Sequence, residues 1–314
     1  MTDKIKKQVV IPESLHQHRL DQALAKLFPE YSRNQHKAWI LENEITLDNK
    51  PAKPKDKVNA GQTIFIDARL PTQGEWVAQD IPLDILFEDE HLLVLNKPAG
   101  LVVHPGAGQA DQTLLNALLH HAPSLKHVPR AGIIHRLDKD TSGLLIIAKT
   151  LEAHTALIKM MQAREINREY QTIVYGELIS GGRIDKPIGR HPSKRTHMAI
   201  VNNGKPATTH YRIIQKFPGF THLRVTLETG RTHQIRVHLS FLGYPIVGDK
   251  TYGTRLKIPK HASENLIQTL RTFPRQALHA TNLSFTHPIT KESIEIHADI
   301  PKDMCNLITS IERF

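Results

Sequence analysis

Residues 131–150, AGIIHRLDKDTSGLLIIAKT, place a cluster of ionisable side chains between two apolar runs, and no other stretch constrains the fold as strongly. Ile133-Ile134 and the run from Leu144 to Ala148 are typical of buried strands. Ionisable groups beside a core are costly unless they are paired, and strongly perturbed ones cluster at functional sites. The stretch between His135 and Asp140 therefore indicates a candidate active site, with a plain ion-paired turn as the alternative.

Length and composition indicate a globular chain of about two domains, since 314 residues include 39% apolar and 23% charged residues. The sequence contains no apolar run approaching ~18 residues. Its lysine-rich start, Met1 to Lys7, leads into no signal-type apolar segment. We therefore expect a cytoplasmic protein that does not enter a membrane.

Cysteine and histidine usage gives no support for a metal site. Cys305 is the only cysteine, which excludes an internal disulfide and a cluster of thiolate ligands. The 20 histidines leave metal binding open, but the sequence has no His-Glu-x-x-His motif. His233 and His238 are five positions apart, which separates them on a helix surface. We expect no structural or catalytic metal.

Familiar cofactor and hydrolase motifs are also absent from the sequence. GAGQAD at 106–111 offers Gly106 and Gly108 but has Asp111 where a dinucleotide-binding fingerprint needs a third glycine. The sequence contains no Walker A motif and no Gly-x-Ser-x-Gly nucleophile elbow. We therefore expect no cofactor.

The net charge of +10 favours a polyanionic partner such as nucleic acid. One segment, 181–210, has a single acid, Asp185, against six basic residues: Arg183, Lys186, Arg190, Lys194, Arg195 and Lys205. It lacks an amphipathic apolar face, so it suits a phosphate backbone better than a membrane surface. A solvated, charged loop is the alternative.

A domain boundary is predicted near residue 75, giving domains 1–75 and 76–314. Leu70-Pro-Thr-Gln-Gly74 is rich in turn residues, and residues 75–90 contain six acids without one Lys or Arg. Before the boundary, the spacing predicts a helix over 19–28 and a second helix capped by Ser32. Short strands are predicted at 45–47 and 63–66. This first unit is basic, and Arg33 and Lys37 are candidate contacts to a nucleic acid.

Beyond residue 80 the sequence predicts strands with intervening helices. Strands are expected at 91–95, 143–148, 170–175, 211–214, 223–227, 280–285 and 293–297, and helices at 113–121, 151–164, 232–242 and 301–311. Strands and helices do not alternate strictly, so we predict an α+β domain with a mixed or largely antiparallel sheet.

Asp138 is the acid of the opening stretch without an evident structural task. Asp140-Thr-Ser-Gly143 has the composition of a turn that the Asp140 side chain stabilises and that Gly143 completes in a left-handed conformation. Asp138 then either forms an ion pair with Arg136 or Lys139, or acts in chemistry.

A second constellation, LETGRTHQIRVHLS at 227–240, predicts a strand that ends at Gly230 and a helix capped by Thr232. Arg231 lies at this junction, where its planar fork is placed to pair with Asp138 and keep that acid ionised. The alternative is that Arg231 binds a phosphate by itself.

Several motifs together resemble the RluA family of RNA pseudouridine synthases in order and spacing. They are NKPAGLVVHPG at 96–106, HRLDKDTSGL at 135–144, REY at 168–170 and TGRTHQIRVH at 229–238. RHPSKRTHMAI at 190–200, GKPATTHYRI at 204–213 and RQALHAT at 275–281 further resemble the subgroup that acts on large-subunit ribosomal RNA. The resemblance extends from about residue 10 to the end of the chain, and independent motifs in register are far more specific than HRLD alone.

The first unit resembles the RNA-binding module of small-subunit ribosomal protein S-four, through RLDQALAKLFPEYSRNQHKAWI at 19–40. It departs from that pattern at Asp48-Asn49-Lys50, where a Val-Asn-Gly turn is usual, and at Gln62. We expect the fold to persist, because Asn49 tolerates a left-handed turn.

The resemblance implies isomerisation of uridine to pseudouridine, which needs no cofactor because no atom is lost. Asp138 would be the nucleophile or would otherwise assist departure of the base. Tyr170 would stack on the uracil and act as, or relay to, the base that removes the ring proton. Arg231 would pair with Asp138, and Ile235 would line the base pocket. Arg136 would enter the space left by the flipped uridine.

The expected partner is ribosomal RNA, or the precursor of the large ribosomal subunit, bound by a monomeric enzyme. In addition to Arg136 and Ile235, we expect Arg33, Lys37, Arg190, Lys194 and Arg195 to contact the RNA. Two alternatives remain at this point. One is an RNA-binding assembly factor with a vestigial site, and the other is the same chemistry on transfer RNA.

Overall fold

The computed structural model describes residues 4–29, 31, 33–69, 76–106, 109–194, 196–253, 258–259 and 261–314, without the side chains of residues 4, 33–35 and 69. The chain packs into two compact units, Met1–Glu75 and Trp76–Phe314. The predicted linker at 70–74, the predicted cap Ser32 and the predicted RNA contact Arg195 lie outside the described residues, as does the side chain of Arg33.

The first unit is a four-stranded antiparallel sheet with two helices. Its elements are β1 (Lys4–Val10), α1 (Leu20–Leu27), α2 (Arg33–Leu41), β2 (Ile45–Leu47), β3 (Lys50–Pro51) and β4 (Thr63–Arg69). The strands pair in the order β1-β4-β2-β3. Leu24 of α1 and Trp39 of α2 enter one apolar core with Ile64 of β4. β1 was not predicted, because its lysines conceal an edge strand that pairs with β4 along its whole length.

Two departures of the first unit from the usual S-four-like sequence contact each other. Asp48 and Asn49 form the turn between β2 and β3 with left-handed backbone angles, φ 50° and 61°. Gln62 Nε2 donates to Asp48 Oδ2 at 2.9 Å, and Asp48 Oδ1 accepts the backbone N–H of Thr63 at 2.8 Å. The expected tolerance of Asn49 for this turn is confirmed, and the paired departures explain why the fold persists.

The second unit contains a nine-stranded mixed sheet. Its strands are β5 (Ile85–Glu88), β6 (Leu92–Lys97), β7 (Ser142–Ala148), β8 (Asn167–Tyr175), β9 (Gly182–Asp185), β12 (Thr208–Phe217), β13 (Phe220–Leu227), β14 (Leu278–Thr286) and β15 (Ser293–His297). Their order is β5-β6-β7-β14-β8-β13-β12-β9, with β15 paired to β14. Within this sheet the pairs are antiparallel except for the short parallel contact of β7 with β14. The predicted α+β class with a mixed, largely antiparallel sheet is confirmed.

Helices and a small separate ladder surround this sheet. They are α3 (Leu114–His121), α4 (Leu151–Ala163), α5 (Gln234–Phe241), α6 (Glu264–Thr272), α7 (Lys302–Glu312) and the two-stranded ladder β10 (Ile188–Arg190) with β11 (Met198–Ile200). The seven strands and four helices predicted beyond residue 80 are all present. The sequence reading missed β5, β9, β10, β11 and α6.

Gly143 has the predicted left-handed conformation, φ 112°, but it lies in a strand and not in a turn. It lies inside β7, where a Cβ atom would approach the backbone oxygen of Ala280 on β14 to 2.3 Å, so only glycine allows the two strands to begin side by side. The turn lies earlier, since Thr141 N–H donates to the Asp138 carbonyl at 3.1 Å. The predicted turn at Asp140–Gly143 was therefore wrong by two residues.

Candidate active site

A cleft of about 1170 Å³ opens in the second unit above the start of β7. Its walls come from residues 102–106 and 109, the segment 130–141, β8, the end of α4 and the segment 227–236. Asp138, Tyr170, Arg136, Arg231 and Ile235 all line it. The structure therefore brings together the five residues to which the resemblance gave roles in the reaction.

Buried polar side chains fix the turn that carries Asp138. Lys97 is fully buried at the end of β6, and its ammonium donates to the carbonyls of Lys139, Leu101 and Pro98 at 2.7–3.0 Å. Burial lowers the pKa of Lys97 to about 7, although nearby carboxylates oppose this change. Arg275 Nη1 donates to the Asp140 carbonyl at 3.3 Å. The turn is thus anchored through its backbone, which leaves the Asp138 carboxylate to face the cleft.

Arg236 is the arginine that pairs with Asp138. Its Nη1 donates to Asp138 Oδ2 at 2.9 Å, while Nε and Nη2 hold Asp249 in a bidentate pair at 2.7 and 2.9 Å. Burial opposes the charge of Arg236, but the two carboxylates outweigh it and raise the pKa of the guanidinium. In the same way, Arg236 overcomes burial and holds the pKa of Asp249 below its usual value.

The predicted pairing of Arg231 with Asp138 was wrong. Arg231 Nε instead donates to the carbonyl of Pro206 at 3.1 Å. The reason is the start of α5: Gln234 Oε1 accepts the backbone N–H of Arg231 at 2.9 Å, which folds this residue into the approach to the helix. Arg236 lies five residues further along the chain, in the first turn of α5. The predicted cap Thr232 is also replaced, because His233 precedes the helix with φ 57°.

A second layer behind Asp138 was missed at the sequence level. His233 Nε2 lies 3.8 Å from Asp138 Oδ1, and His233 Nδ1 lies 2.7 Å from the hydroxyl of Tyr252. The Tyr252 ring packs against the Arg236 guanidinium at 5.0 Å, and its hydroxyl accepts the backbone N–H of Met198 on β11 at 2.8 Å. Burial lowers the pKa of His233, so this imidazole favours its neutral form. The only sequence signal was the histidine within the motif at 229–238.

Tyr170 lies on β8 and is 5% exposed. Burial raises the pKa of its hydroxyl, Arg168 opposes this effect and the charge of Asp138 adds to it. The ring is therefore a neutral, apolar surface in the wall of the cleft, beside Asp138. Such a surface suits stacking of a planar base.

The predicted RNA contacts are distributed over both units. Arg136 is exposed at the cleft, and Ile235 is buried in its wall. Arg190 and Lys194 are exposed on β10 and on the connection that follows it, outside the lining of the cleft. Lys37 is exposed on α2 of the first unit.

Within the described ranges, no group of three or more His, Cys, Asp or Glu side chains is arranged to hold a metal ion. Across those same ranges, no helix is long and apolar enough to cross a membrane.

Comparisons with known proteins identify the family of the chain. Residues 91–241 match the family model for RNA pseudouridylate synthase, and residues 18–64 match that for the S4 domain. The chain is 54% identical to ribosomal large subunit pseudouridine synthase D of Yersinia pestis, over 99% of this chain and 96% of the relative. The protein of the same name from Pseudomonas aeruginosa is 53% identical, over 100% and 98% of the two chains.

Solved structures show the same fold. Human RNA pseudouridylate synthase domain containing 4 matches with a TM-score of 0.57 at 25% identity, over 73% of this chain and 93% of that one. Human RNA pseudouridylate synthase domain containing 1 matches with a TM-score of 0.54 at 25% identity, over 76% and 97%. The chain belongs to the RNA pseudouridylate synthase family. It is an isomerase that carries an S4 RNA-binding domain, which confirms the resemblance found in its sequence.

Proposed function

We propose that this pseudouridine synthase acts on uridines in a stem-loop of large-subunit ribosomal RNA, free or within the precursor of the large subunit. Support for the substrate comes from the relatives, which are named ribosomal large subunit pseudouridine synthase D and match over nearly the full chain. Support for the chemistry comes from one arrangement, a carboxylate in a cleft that is paired with a buried arginine. Pseudouridines mapped in the ribosomal RNA of cells that contain the protein should be absent from cells that lack it. Loss of pseudouridine from transfer RNA alone would overturn the proposed substrate.

We propose Asp138 as the nucleophile. Its carboxylate attacks carbon 1′ of the ribose as the bond to uracil N1 breaks, and the uracil then turns so that carbon 5 bonds to carbon 1′ and releases the carboxylate. A base removes the proton from carbon 5 to restore the aromatic ring. Arg236 pairs with the Asp138 carboxylate at 2.9 Å and fixes its position, and this ion pair is the observation that carries the assignment.

The remaining cleft residues are proposed to bind the flipped nucleotide. Tyr170 stacks on the uracil and acts as, or relays to, the base at carbon 5, while Ile235 closes the pocket beside it. Arg136 is exposed at the cleft, where it can fill the gap in the RNA stack. Arg231 donates a hydrogen bond to the carbonyl of Pro206 and does not pair with Asp138, which favours phosphate binding by Arg231 at the cleft.

We also propose that the enzyme works as a monomer in the cytoplasm, where ribosomal RNA is modified. The cleft of one chain already brings Asp138, its partner Arg236 and Tyr170 together, which supports a monomer.

Residues 1–75 are proposed to bind RNA, and residues 76–314 to hold the chemistry. Deleting residues 1–75 is then expected to raise the RNA concentration needed for half-maximal rate by at least about tenfold, because phosphate contacts supply much of the affinity. Slow turnover should persist at saturating RNA, since the cleft lies wholly within the second unit. Steady-state kinetics measure both effects, and circular dichroism confirms folding. A folded but inactive truncated protein at saturating RNA would refute the separation.

Arg190, Lys194 and Arg195 are proposed to contact RNA phosphates from the basic segment. Replacing all three with glutamine should reduce the slope of log affinity against log salt by about 2 to 3, since each phosphate contact contributes roughly 0.7–0.9 to the slope. Filter binding over a salt series measures this slope. A triple replacement at the exposed residues Arg271, Lys291 and Lys302 is the matched control. Equal slopes for the two triple variants would indicate a solvated loop.

A further inference from the structure

Arg168 is a buried arginine without a partner among the residues that the structure describes. It lies on β8 and is only 7% exposed. Its Nε is buried without a hydrogen-bond acceptor, and within the described part of the chain its guanidinium forms neither an ion pair nor a hydrogen bond. Arg168 nevertheless lines the cleft together with Asp138 and Tyr170. A buried cation of this kind needs an anionic or strongly polar partner.

The other buried arginines of the second unit show how unusual this arrangement is. Arg236 and Arg275 are each 6% exposed. Arg236 pairs with two carboxylates, and Arg275 holds Asp303 in a bidentate pair at 2.7 and 2.9 Å. Among the described residues, carboxylates pair with Arg236 and Arg275, and none pairs with Arg168. We infer that the partner of Arg168 arrives with the substrate.

The position of Arg168 indicates which part of the substrate it meets. Residues two apart on a strand lie on the same face, so Arg168 and Tyr170 share one wall of the cleft. Gly230 packs closely against the guanidinium, since a Cβ atom at this position would lie 2.9 Å from Arg168 Nη1. Arg136 is exposed and is already proposed to fill the gap in the RNA stack, and the half-buried Arg231 suits a phosphate. A flipped base enters deeper than its phosphates, so the buried arginine faces the base.

We propose that Arg168 is a further catalytic residue, which stabilises the uracil anion formed when the glycosidic bond breaks. This inference rests on the proposed role of Asp138. As carbon 1′ bonds to the carboxylate, the electron pair of the broken bond leaves with the uracil and spreads over N1, O2 and O4. The N–H groups of Arg168 donate to this oxygen-centred charge. When carbon 5 attacks carbon 1′, the electron pair of the uracil anion forms the new bond and the Asp138 carboxylate leaves with the negative charge. Loss of the proton from carbon 5 and uptake of a proton at N1 complete the product.

Electrostatics in the cleft favour this role. A cation fixed in a water-poor site stabilises a developing anion far more strongly than a cation in solvent does. His135 does not compete for the charge, since burial first and Arg168 second lower its pKa to about 3 and keep it neutral. Asp138 is occupied by Arg236. Arg168 is therefore free to act on the departing base.

The first test compares Arg168→Met with Arg168→Lys and with Arg212→Met, a control at an exposed arginine on β12 outside the cleft. Single-turnover conversion at saturating protein is expected to slow by at least about 100-fold in Arg168→Met. Arg168→Lys should recover part of this loss, and Arg212→Met should match wild type. RNA affinity should stay within about twofold in all three. The melting temperature of Arg168→Met should equal or exceed that of wild type, since an unpaired buried charge has been removed.

The second test changes the leaving group. Fluorine at carbon 5 withdraws electrons and makes the uracil anion more stable by itself, so the base depends less on Arg168. With 5-fluorouridine at the target position, the rate deficit of Arg168→Met should shrink by at least about tenfold. Nuclease digestion and chromatography report consumption of the 5-fluorouridine, which measures bond cleavage without proton release from carbon 5.

Three outcomes would overturn the proposal. If Arg168→Met had the same rate deficit on uridine and on 5-fluorouridine and also bound RNA more weakly, Arg168 would bind a phosphate and not the base. A lower melting temperature in both Arg168 variants would make it structural. Wild-type rates in Arg168→Met would leave it without a role. Failure of the proposed function is separate, because it would appear as an inactive wild-type enzyme on ribosomal RNA or as an active Asp138→Asn variant.

Discussion

Replacing Asp138 with asparagine is expected to abolish isomerisation while RNA affinity and melting temperature stay close to those of wild type. Asparagine keeps the shape of the side chain but removes the nucleophile, so the rate should fall on the order of 10⁴-fold or more. Stability should change little for a structural reason. Arg236 loses one partner but keeps its bidentate pair with Asp249, so no buried charge is left uncompensated.

The measurement is tritium release from RNA labelled at carbon 5 of uracil, at saturating protein, beside a filter-binding titration. Asp140→Asn is the matched control, because Asp140 contributes its carbonyl to Arg275 and the backbone is unchanged by the substitution. That variant should keep most of its activity. Substantial tritium release by folded Asp138→Asn would exclude the nucleophile assignment. Loss of activity in Asp140→Asn alone would move the chemistry to that residue.

The elements that sequence patterns predicted are those with long, regular signals. The run Leu144 to Ala148 is buried throughout in β7 and anchors the cleft. In contrast, β10 and β11 have three residues each within a segment dominated by charge, so their pairing depends on contacts that no local pattern contains. The missed α6 did carry a signal, because Ser263 accepts the backbone N–H of Leu266 at 3.2 Å as an ordinary helix cap.

The sequence predicted the main residues of the site but not the ion pairs between them. Asp138 and Tyr170 were identified by motif, and the cleft does bring them together. The choice between Arg231 and Arg236 depended on where α5 begins, and element boundaries are uncertain by a few residues from sequence alone. Asp249 gave no signal, because its pairing with Arg236 depends on a turn that follows the helix. The isolation of Arg168 is invisible in a sequence, because a missing partner shows only in three dimensions.

Replacing Arg236 with methionine is expected to remove both activity and stability. Asp249 would remain buried without its counter-charge, and breaking a buried pair from one side costs about 3–5 kcal/mol of unfolding free energy. Asp138 would lose the partner that holds it in place. Arg231→Met removes a guanidinium that bonds only to a carbonyl, so it should cost no more than about 1.5 kcal/mol. Urea unfolding and tritium release on the two variants measure the contrast.

The stability deficit of Arg236→Met is expected to depend on pH in a definite direction. In the wild type, Arg236 keeps the pKa of Asp249 below its unfolded value, so the stabilisation is present at neutral pH and is lost only as pH falls through that lowered value. In Arg236→Met, burial is opposed only by the backbone N–H groups of Thr251 and Tyr252, so the pKa of Asp249 rises relative to its wild-type value. The variant therefore recovers stability relative to wild type as Asp249 takes up a proton, and its deficit should shrink as pH falls from 7 towards 4.

A double variant separates stability from chemistry at this arginine. Adding Asp249→Asn to Arg236→Met removes the stranded carboxylate, so most of the lost unfolding free energy should return at neutral pH. Activity should not return, because Asp138 still lacks the cation that orients it. If the double variant regained activity along with stability, Arg236 would act through the fold alone. If Arg236→Met were as stable as wild type, the buried pair would not exist in solution, and the assignment of Arg236 over Arg231 would fail with it.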